Sequence, residues 1–114
     1  MMEDKKLLWW AAKAAGLPMS EEWDCAAEGR GIIIGRGDGD LRPWNPLIDD
    51  GEAFRLSVNL QISVMSNIIR YEASTIALTL AGIFIKEDML RQSADFAARR
   101  AIVRAAAELG RLHQ

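Results

Sequence analysis

The sequence has one cysteine and one histidine, which excludes several kinds of site. An intramolecular disulfide needs two cysteines, so none can form, and a reducing compartment is the simplest expectation. Cys25 is expected to behave as a small buried hydrophobe, and His113, next to the last residue given, is expected to be exposed. One residue of each type is too few for a Cys/His metal cluster. We therefore predict no metal, no other cofactor and no catalytic residues.

Long apolar runs and an excess of one charge are also missing. The apolar runs fall well short of the roughly 20 residues that a membrane helix needs. Residues 1–10 place charges before apolar residues as a signal peptide does, but Lys13 interrupts the run and no cleavage-site pattern follows. The net charge is −2, whereas a duplex nucleic-acid binder usually carries a strong basic excess. We expect a cytoplasmic protein with neither a membrane nor duplex nucleic acid as its partner.

Half of the residues are hydrophobic and about a quarter are charged, which is typical of a globular protein. A chain of 114 residues lies within the size range of one domain. Apolar spacing predicts a first helix over about residues 3–15, ending at a left-handed Gly16. Its expected buried face consists of Leu7, Leu8, Ala11, Ala14 and Ala15. The chain therefore begins with an amphipathic helix.

Two further helices are predicted. The second covers about residues 50–60, where Asp49 is the N-cap and Glu52 completes a capping box. It is expected to bury Ala53, Phe54, Leu56 and Leu60. The third begins at about residue 88 or 93 and ends at residue 112, in an Ala- and Arg-rich segment without proline. Its apolar face consists of Ala98, Ala101, Ile102, Ala105, Leu109 and Leu112, and so many alanines predict close packing across a sheet.

Four strands are predicted from β-branched runs and two-residue alternation. The first is the isoleucine run between Gly31 and Gly35, and the others cover about residues 61–65, 68–73 and 76–85. A tight turn is expected at residues 66–67, with Gly82 as a bulge. Residues 41–48 hold two prolines and are expected to be extended or turned. The prediction is one α+β domain over residues 1–114, with a four-stranded, mostly antiparallel sheet in the order α-β-α-β-β-β-α.

Two surfaces are candidate partner-binding sites. Trp9 lies among Lys5 and Lys13 on the polar side of the first helix, and tryptophans are enriched at interfaces. The alternative is that residues 17–30 fold over Trp9. The second surface is an arginine stripe on the last helix, consisting of Arg100, Arg104 and Arg111. It suits phosphate or an acidic surface, or it is a solvated face in which Glu108 pairs with Arg104.

Acidic residues and glycines offer weaker alternatives. The loop of residues 31–39 fits neither common phosphate-binding motif, and Asp38 and Asp40 lack the further ligands of a calcium loop. An enzyme would need a cleft with perturbed carboxylates from Asp38, Asp40, Asp49 or Asp50. Helix capping explains the last two more simply. An edge strand at residues 76–85 would also favour a homo-oligomer.

Three segments together resemble a known family. They are the Lys6-Leu7-Leu8 helix ending at Gly16, the Trp-Asn-Pro-Leu-Ile-Asp-Asp-Gly-Glu-Ala motif of residues 44–53, and the Ala-Arg-Arg-Ala-Ile-Val-Arg-Ala-Ala-Ala-Glu helix of residues 98–108. This pattern resembles small phage and prophage proteins of the phage ABA sandwich domain type, with NinX-type proteins as more distant look-alikes. The resemblance implies a phage accessory protein with an α–β–α layered fold, in the cytoplasm of a bacterial host. It also implies that Trp44, Asn45 and Pro46 hold the loop before the second helix.

The leading hypothesis is therefore a non-enzymatic phage or prophage accessory protein that binds a host or phage macromolecule, with an unknown protein as the expected partner. The alternative is a protein that binds or sequesters a small anionic ligand such as a nucleotide signal. In that case Arg100 and Arg104 would hold phosphate, and the loop of residues 31–39 would supply backbone N–H groups.

Overall fold

The computed structural model of this chain describes residues 3–19, 31–35, 41–69, 72–89 and 92–112. Within them, three helices and five strands follow one another along the chain. They are α1 (Asp4–Ala14), β1 (Ile32–Ile34), β2 (Arg42–Trp44), α2 (Asp50–Leu60), β3 (Ser63–Ile69), β4 (Glu72–Leu78), β5 (Phe84–Asp88) and α3 (Ala94–Leu112). The fold is α+β, as predicted.

The described strands form two antiparallel sheets, so the single four-stranded sheet predicted from the sequence is wrong. One sheet pairs β1 with β2, placing Ile32 opposite Trp44, and the other has the order β3-β4-β5. Strand β2 is absent from the predicted order because Pro43 lies at its centre. Proline is tolerated at the edge of a sheet, where no neighbour needs its missing N–H. Gly31, at φ +123°, lets the chain pass beside the Trp44 carbonyl, where a β-carbon would lie 2.3 Å from that oxygen.

Three strands were predicted over residues 61–85, and three are present as β3, β4 and β5, but the turns between them lie at other residues. The predicted turn at residues 66–67 lies inside β3, and the predicted strand 76–85 is divided between β4 and β5. Gly82, at φ +88°, lies in the turn between them and donates its N–H to the Thr79 carbonyl. It is therefore a turn residue rather than a bulge. Of the segment 76–85 that was predicted as an edge strand, residues 76–78 lie in the central strand β4 and residues 84–85 lie in β5 at the edge of the described sheet.

The ends of the first two helices follow local signals. Gly16 takes the left-handed conformation at φ +71°, and the Leu17 N–H bonds to the Ala12 carbonyl after α1. The Asp49 side chain caps α2 by accepting the Glu52 N–H at 2.8 Å. The predicted capping box is only half present, because the Glu52 carboxylate accepts a hydrogen bond from Arg55.

Helix α3 lies at the centre of the molecule and contacts α1, α2 and all three strands of the larger sheet. Its alanines 101, 105 and 106 are fully buried, so the close packing predicted for them is confirmed and involves helices as well as a sheet. Two predicted core residues are exposed: Phe54 is 67% exposed, since it lies about 100° round α2 from buried Ala53. Leu112, 59% exposed, is in the last turn of α3. Among the described helices, none combines the length and apolar character that crossing a membrane requires.

Candidate functional site

Two of the three predicted arginines connect α3 to other elements of the fold. Arg100 donates to the Asp4 carboxylate at 3.1 Å, and its Nε lies 3.9 Å from Glu87 Oε1. Arg104 donates to Glu87 and to the Lys86 carbonyl oxygen at 3.4 Å. The two guanidinium groups therefore converge on one carboxylate of β5 and connect α3 to the sheet and to α1. This arrangement supports the reading of an internally paired stripe.

The third arginine of the stripe forms its own pair. Arg111 Nη2 donates to Glu108 Oε2 at 2.8 Å, and this hydrogen bond raises the pKa of the Arg111 guanidinium. The internal pairing was predicted between Glu108 and Arg104, but Glu108 pairs with Arg111 while Arg104 pairs with Glu87. The structure therefore brings Arg100 and Arg104 together and leaves Arg111 in a separate contact.

The tryptophan face of α1 is a small cation–π cluster. Trp9 and Trp10 meet edge to face with their ring centroids 4.7 Å apart, and Lys13 Nζ lies 5.2 Å from the centroid of each ring. Trp9 is half-buried, and Trp10 packs against the core. Lys5, also half-buried, lies one turn before Trp9. The proposed cover for Trp9 lies mostly in residues 20–30, outside the described residues.

The turn before α2 is a packed structural unit. Trp44 is 3% exposed, and Pro46 is fully buried. The Asn45 side chain accepts the Leu47 N–H at 3.0 Å, and the Asn45 carbonyl accepts the N–H of Asp49. These contacts are those expected if the motif positions the start of α2.

A cleft of about 230 Å³ lies beside this turn and is lined partly by Trp44, Leu56 and Asn59. Arg42 and Arg55 both reach Glu52 there, Arg42 at 3.9 Å. The hydrogen bond to Glu52 raises the pKa of Arg55. The charged lining of the cleft is two arginines and one glutamate, and the Asp49 carboxylate lies close to Arg55.

The outer face of the larger sheet carries large apolar side chains. In the register of the sheet, Ala77 pairs with Ile85 on the face that packs against α3, and Leu78 pairs with Phe84 on the other face. Ala77 is fully buried, whereas Leu78 is 46% and Phe84 58% exposed. Met65 adds a third apolar side chain, 60% exposed, on the outer face. We call Met65, Leu78 and Phe84 the open sheet face.

Sequence reasoning missed the open sheet face, although a signal was present. Apolar residues recur at every second position from Ile76 through Leu78 to Leu80, and Leu80 is 83% exposed. A strand buried on one side only should alternate apolar with polar residues, whereas residues 76–78 of β4 are apolar on both faces. Residues 76–85 were predicted as one strand with a bulge at Gly82, and no exposed apolar face was predicted for it.

The carboxylates considered for an enzyme do not form a described cluster. Asp49 caps α2 and Asp50 pairs with Arg99, while Asp38, Asp40 and Cys25 lie outside the described residues. Within the described ranges, no three His, Cys, Asp or Glu side chains are grouped in a way that could hold a metal ion.

No protein-family model, no curated protein and no solved structure matches this chain. In this α+β fold, the larger sheet packs against α3 on one face and exposes Met65, Leu78 and Phe84 on the other. A surface of this kind binds by excluding water from apolar side chains.

Proposed function

We propose that this chain is a non-enzymatic phage or prophage accessory protein that binds another protein through the open sheet face. The observation that carries the proposal is the exposure of Leu78 and Phe84 as a cross-strand pair, with Met65 beside them. Contiguous apolar patches on a folded protein mark interaction sites, whereas scattered apolar residues do not. The phage assignment is supported by the resemblance of residues 44–53 and 98–108 to phage ABA sandwich proteins.

Burial of the open sheet face would supply part of the free energy of binding to a protein partner. Burying a whole Leu, Phe or Met side chain contributes roughly 1.5–3 kcal/mol, and each of these three is about half exposed. Covering them would therefore contribute about 1 kcal/mol each before the costs of association. A protein partner could cover all three side chains at once with apolar side chains of its own.

Site-specific photocrosslinking in bacterial cells tests this proposal. With p-benzoylphenylalanine in place of Phe84, we expect a covalent adduct to a second protein, identified by mass spectrometry. The Leu78→Lys substitution should abolish that adduct, because a charge in the centre of the apolar surface opposes burial by the partner. The same crosslinker at Leu41, which is 50% exposed and immediately precedes β2, is the matched control. The proposal is refuted if position 84 gives no adduct, or if Leu41 gives the same one.

A small anionic ligand is the second candidate, and the cleft beside α2 favours it. Arg100 and Arg104, which the sequence suggested for phosphate, are largely buried against carboxylates, whereas Arg42 and Arg55 line an open cleft with side chains that are 57% and 67% exposed. Thermal unfolding with cyclic nucleotides and ADP-ribose derivatives tests this function. A rise in melting temperature that disappears in an Arg55→Ala variant would support it, and an unchanged melting temperature across the panel would reject it.

A further inference from the structure

A second apolar surface lies on the opposite side of the larger sheet, in a groove between α2 and α3. The groove encloses about 350 Å³ and reaches the start of β3. Its floor includes Ala53, Ile62 and Ile102, which are at most 7% exposed. Phe54, two-thirds exposed, forms one wall. The alanine at position 98 keeps the groove open, because its methyl group fills little of the space between the helices.

One end of the groove is acidic at its surface. Arg99 donates to Asp50 at 2.6 Å and lies 3.5 Å from Asp95, and its Nε donates to the Leu47 carbonyl. The arginine side chain is 14% exposed, whereas those of Asp50 and Asp95 are 77% and 68% exposed. The Arg99 guanidinium is therefore largely buried, and the carboxylates of Asp50 and Asp95 are exposed to solvent. Hydrogen bonding from Ser93, assisted by Arg99, lowers the pKa of Asp95.

We propose that this groove binds a segment of a partner protein that presents a large apolar side chain within one helical turn of a lysine or arginine. The apolar side chain would occupy the space above Ala98, and the basic group would reach Asp50 and Asp95. Charge complementarity selects this occupant, since two exposed carboxylates repel nucleic acid and anionic lipid and attract a cation. The groove is a separate surface from the open sheet face, so each is tested on its own.

Selection from a displayed library of random peptides tests the proposed occupant. The bait is the whole protein, and counter-selection uses Ala98→Leu, whose larger side chain fills the groove. We expect peptides retained by wild type and lost with Ala98→Leu to share an apolar residue next to Lys or Arg. Ala81→Leu, the same change in the exposed turn after β4, should retain them. The absence of wild-type-specific peptides, or enrichment of acidic ones, would overturn the proposal.

Fluorescence anisotropy with the best selected peptide tests whether the Asp95 carboxylate contributes to binding. Asp95→Asn should weaken binding about threefold at low salt, as expected for an exposed ion pair, and by less at high salt. The control is Asp4→Asn, a carboxylate that is 65% exposed and also paired with an arginine. Ala98→Leu should weaken binding at least tenfold. If the peptide bound wild type and Asp95→Asn with equal affinity, the proposed contact between a basic residue of the partner and Asp95 would be overturned. Leu78→Lys should leave this affinity unchanged, which distinguishes the groove from the open sheet face.

Discussion

Replacing Gly110 with alanine is the sharpest test of the described packing. Helix propensity predicts that the free energy of unfolding rises, whereas the packing of α1 against α3 predicts that it falls. Gly110 lies inside α3, and alanine in a helix interior is favoured over glycine by up to about 1 kcal/mol. Considered as a helix alone, α3 should therefore become more stable. The structure predicts that the protein becomes less stable.

The cost comes from the backbone of α1. A β-carbon on Gly110 would lie 2.1 Å from the carbonyl oxygen of Trp10 and 3.3 Å from the nitrogen of Ala14. These are backbone atoms, so they cannot move away by a side-chain rotation, and α1 would have to shift by about 1 Å. Overpacking of this kind typically costs 1–3 kcal/mol or more. Because the contact at 2.1 Å is with a backbone atom, we take the upper end of this range, about 3 kcal/mol, and after the gain in helix propensity expect a net loss of about 2 kcal/mol in the free energy of unfolding.

Urea denaturation followed by circular dichroism measures this loss, and thermal unfolding should show a melting temperature lower by about 8 °C. The control is Gly51→Ala in α2, where the nearest atoms are the Arg55 guanidinium and an Asp49 carboxylate oxygen at 3.3–3.4 Å. Both groups are ends of exposed side chains that can move, so this variant should be unchanged or slightly stabilised. If Gly110→Ala were as stable as wild type, the close approach of α1 and α3 would be refuted.

Two further predictions concern charges around α3. Glu87→Gln removes the carboxylate that binds Arg104 and should lower the free energy of unfolding by about 1 kcal/mol at low salt, and by less at high salt. In urea titrations Glu108→Gln should have almost no effect, and equal losses would contradict a structural role for Glu87. Ser93→Ala should raise the pKa of Asp95, which its hydroxyl lowers, as measured by NMR titration. The stability conferred by Asp95 is present above its ordinary pKa of 3.8 and is lost as the pH falls through the lower pKa of the folded protein. The Ser93→Ala variant should therefore lose less stability on acidification. An unchanged Asp95 pKa in this variant would contradict the hydrogen bond from Ser93.

Features determined by neighbouring residues were predictable from the sequence. The second helix was predicted over residues 50–60 and α2 covers Asp50–Leu60, since its N-cap, Asp49, is three residues from the N–H that it accepts. Gly16 likewise ends α1 because a left-handed residue costs glycine little. Each of these signals acts within one helical turn.

The turns of the larger sheet were less predictable. Residues 66–67 were predicted as a turn, yet they lie within β3. The turn at Gly82 was not predicted, because the residues on both sides of it, from 76 to 85, are mostly apolar. Two-residue alternation states which side chains share a face and does not state where a strand reverses. The register is set by pairing with another strand, as in the opposition of Leu78 and Phe84.

The α+β class, the three helices, the N-cap of α2 and the apolar run of β1 were predictable, because each depends on residues within a few positions of one another. Packing between distant elements was needed to show that Arg100 and Arg104 share Glu87, that Phe54 borders a groove, and that Leu78 faces outward. Those outcomes depend on which elements become neighbours. Arg100, for example, bonds to Asp4, which lies 96 residues earlier in the chain. Contacts across such distances are absent from local periodicity, so the candidate surfaces emerge only when the elements are packed together.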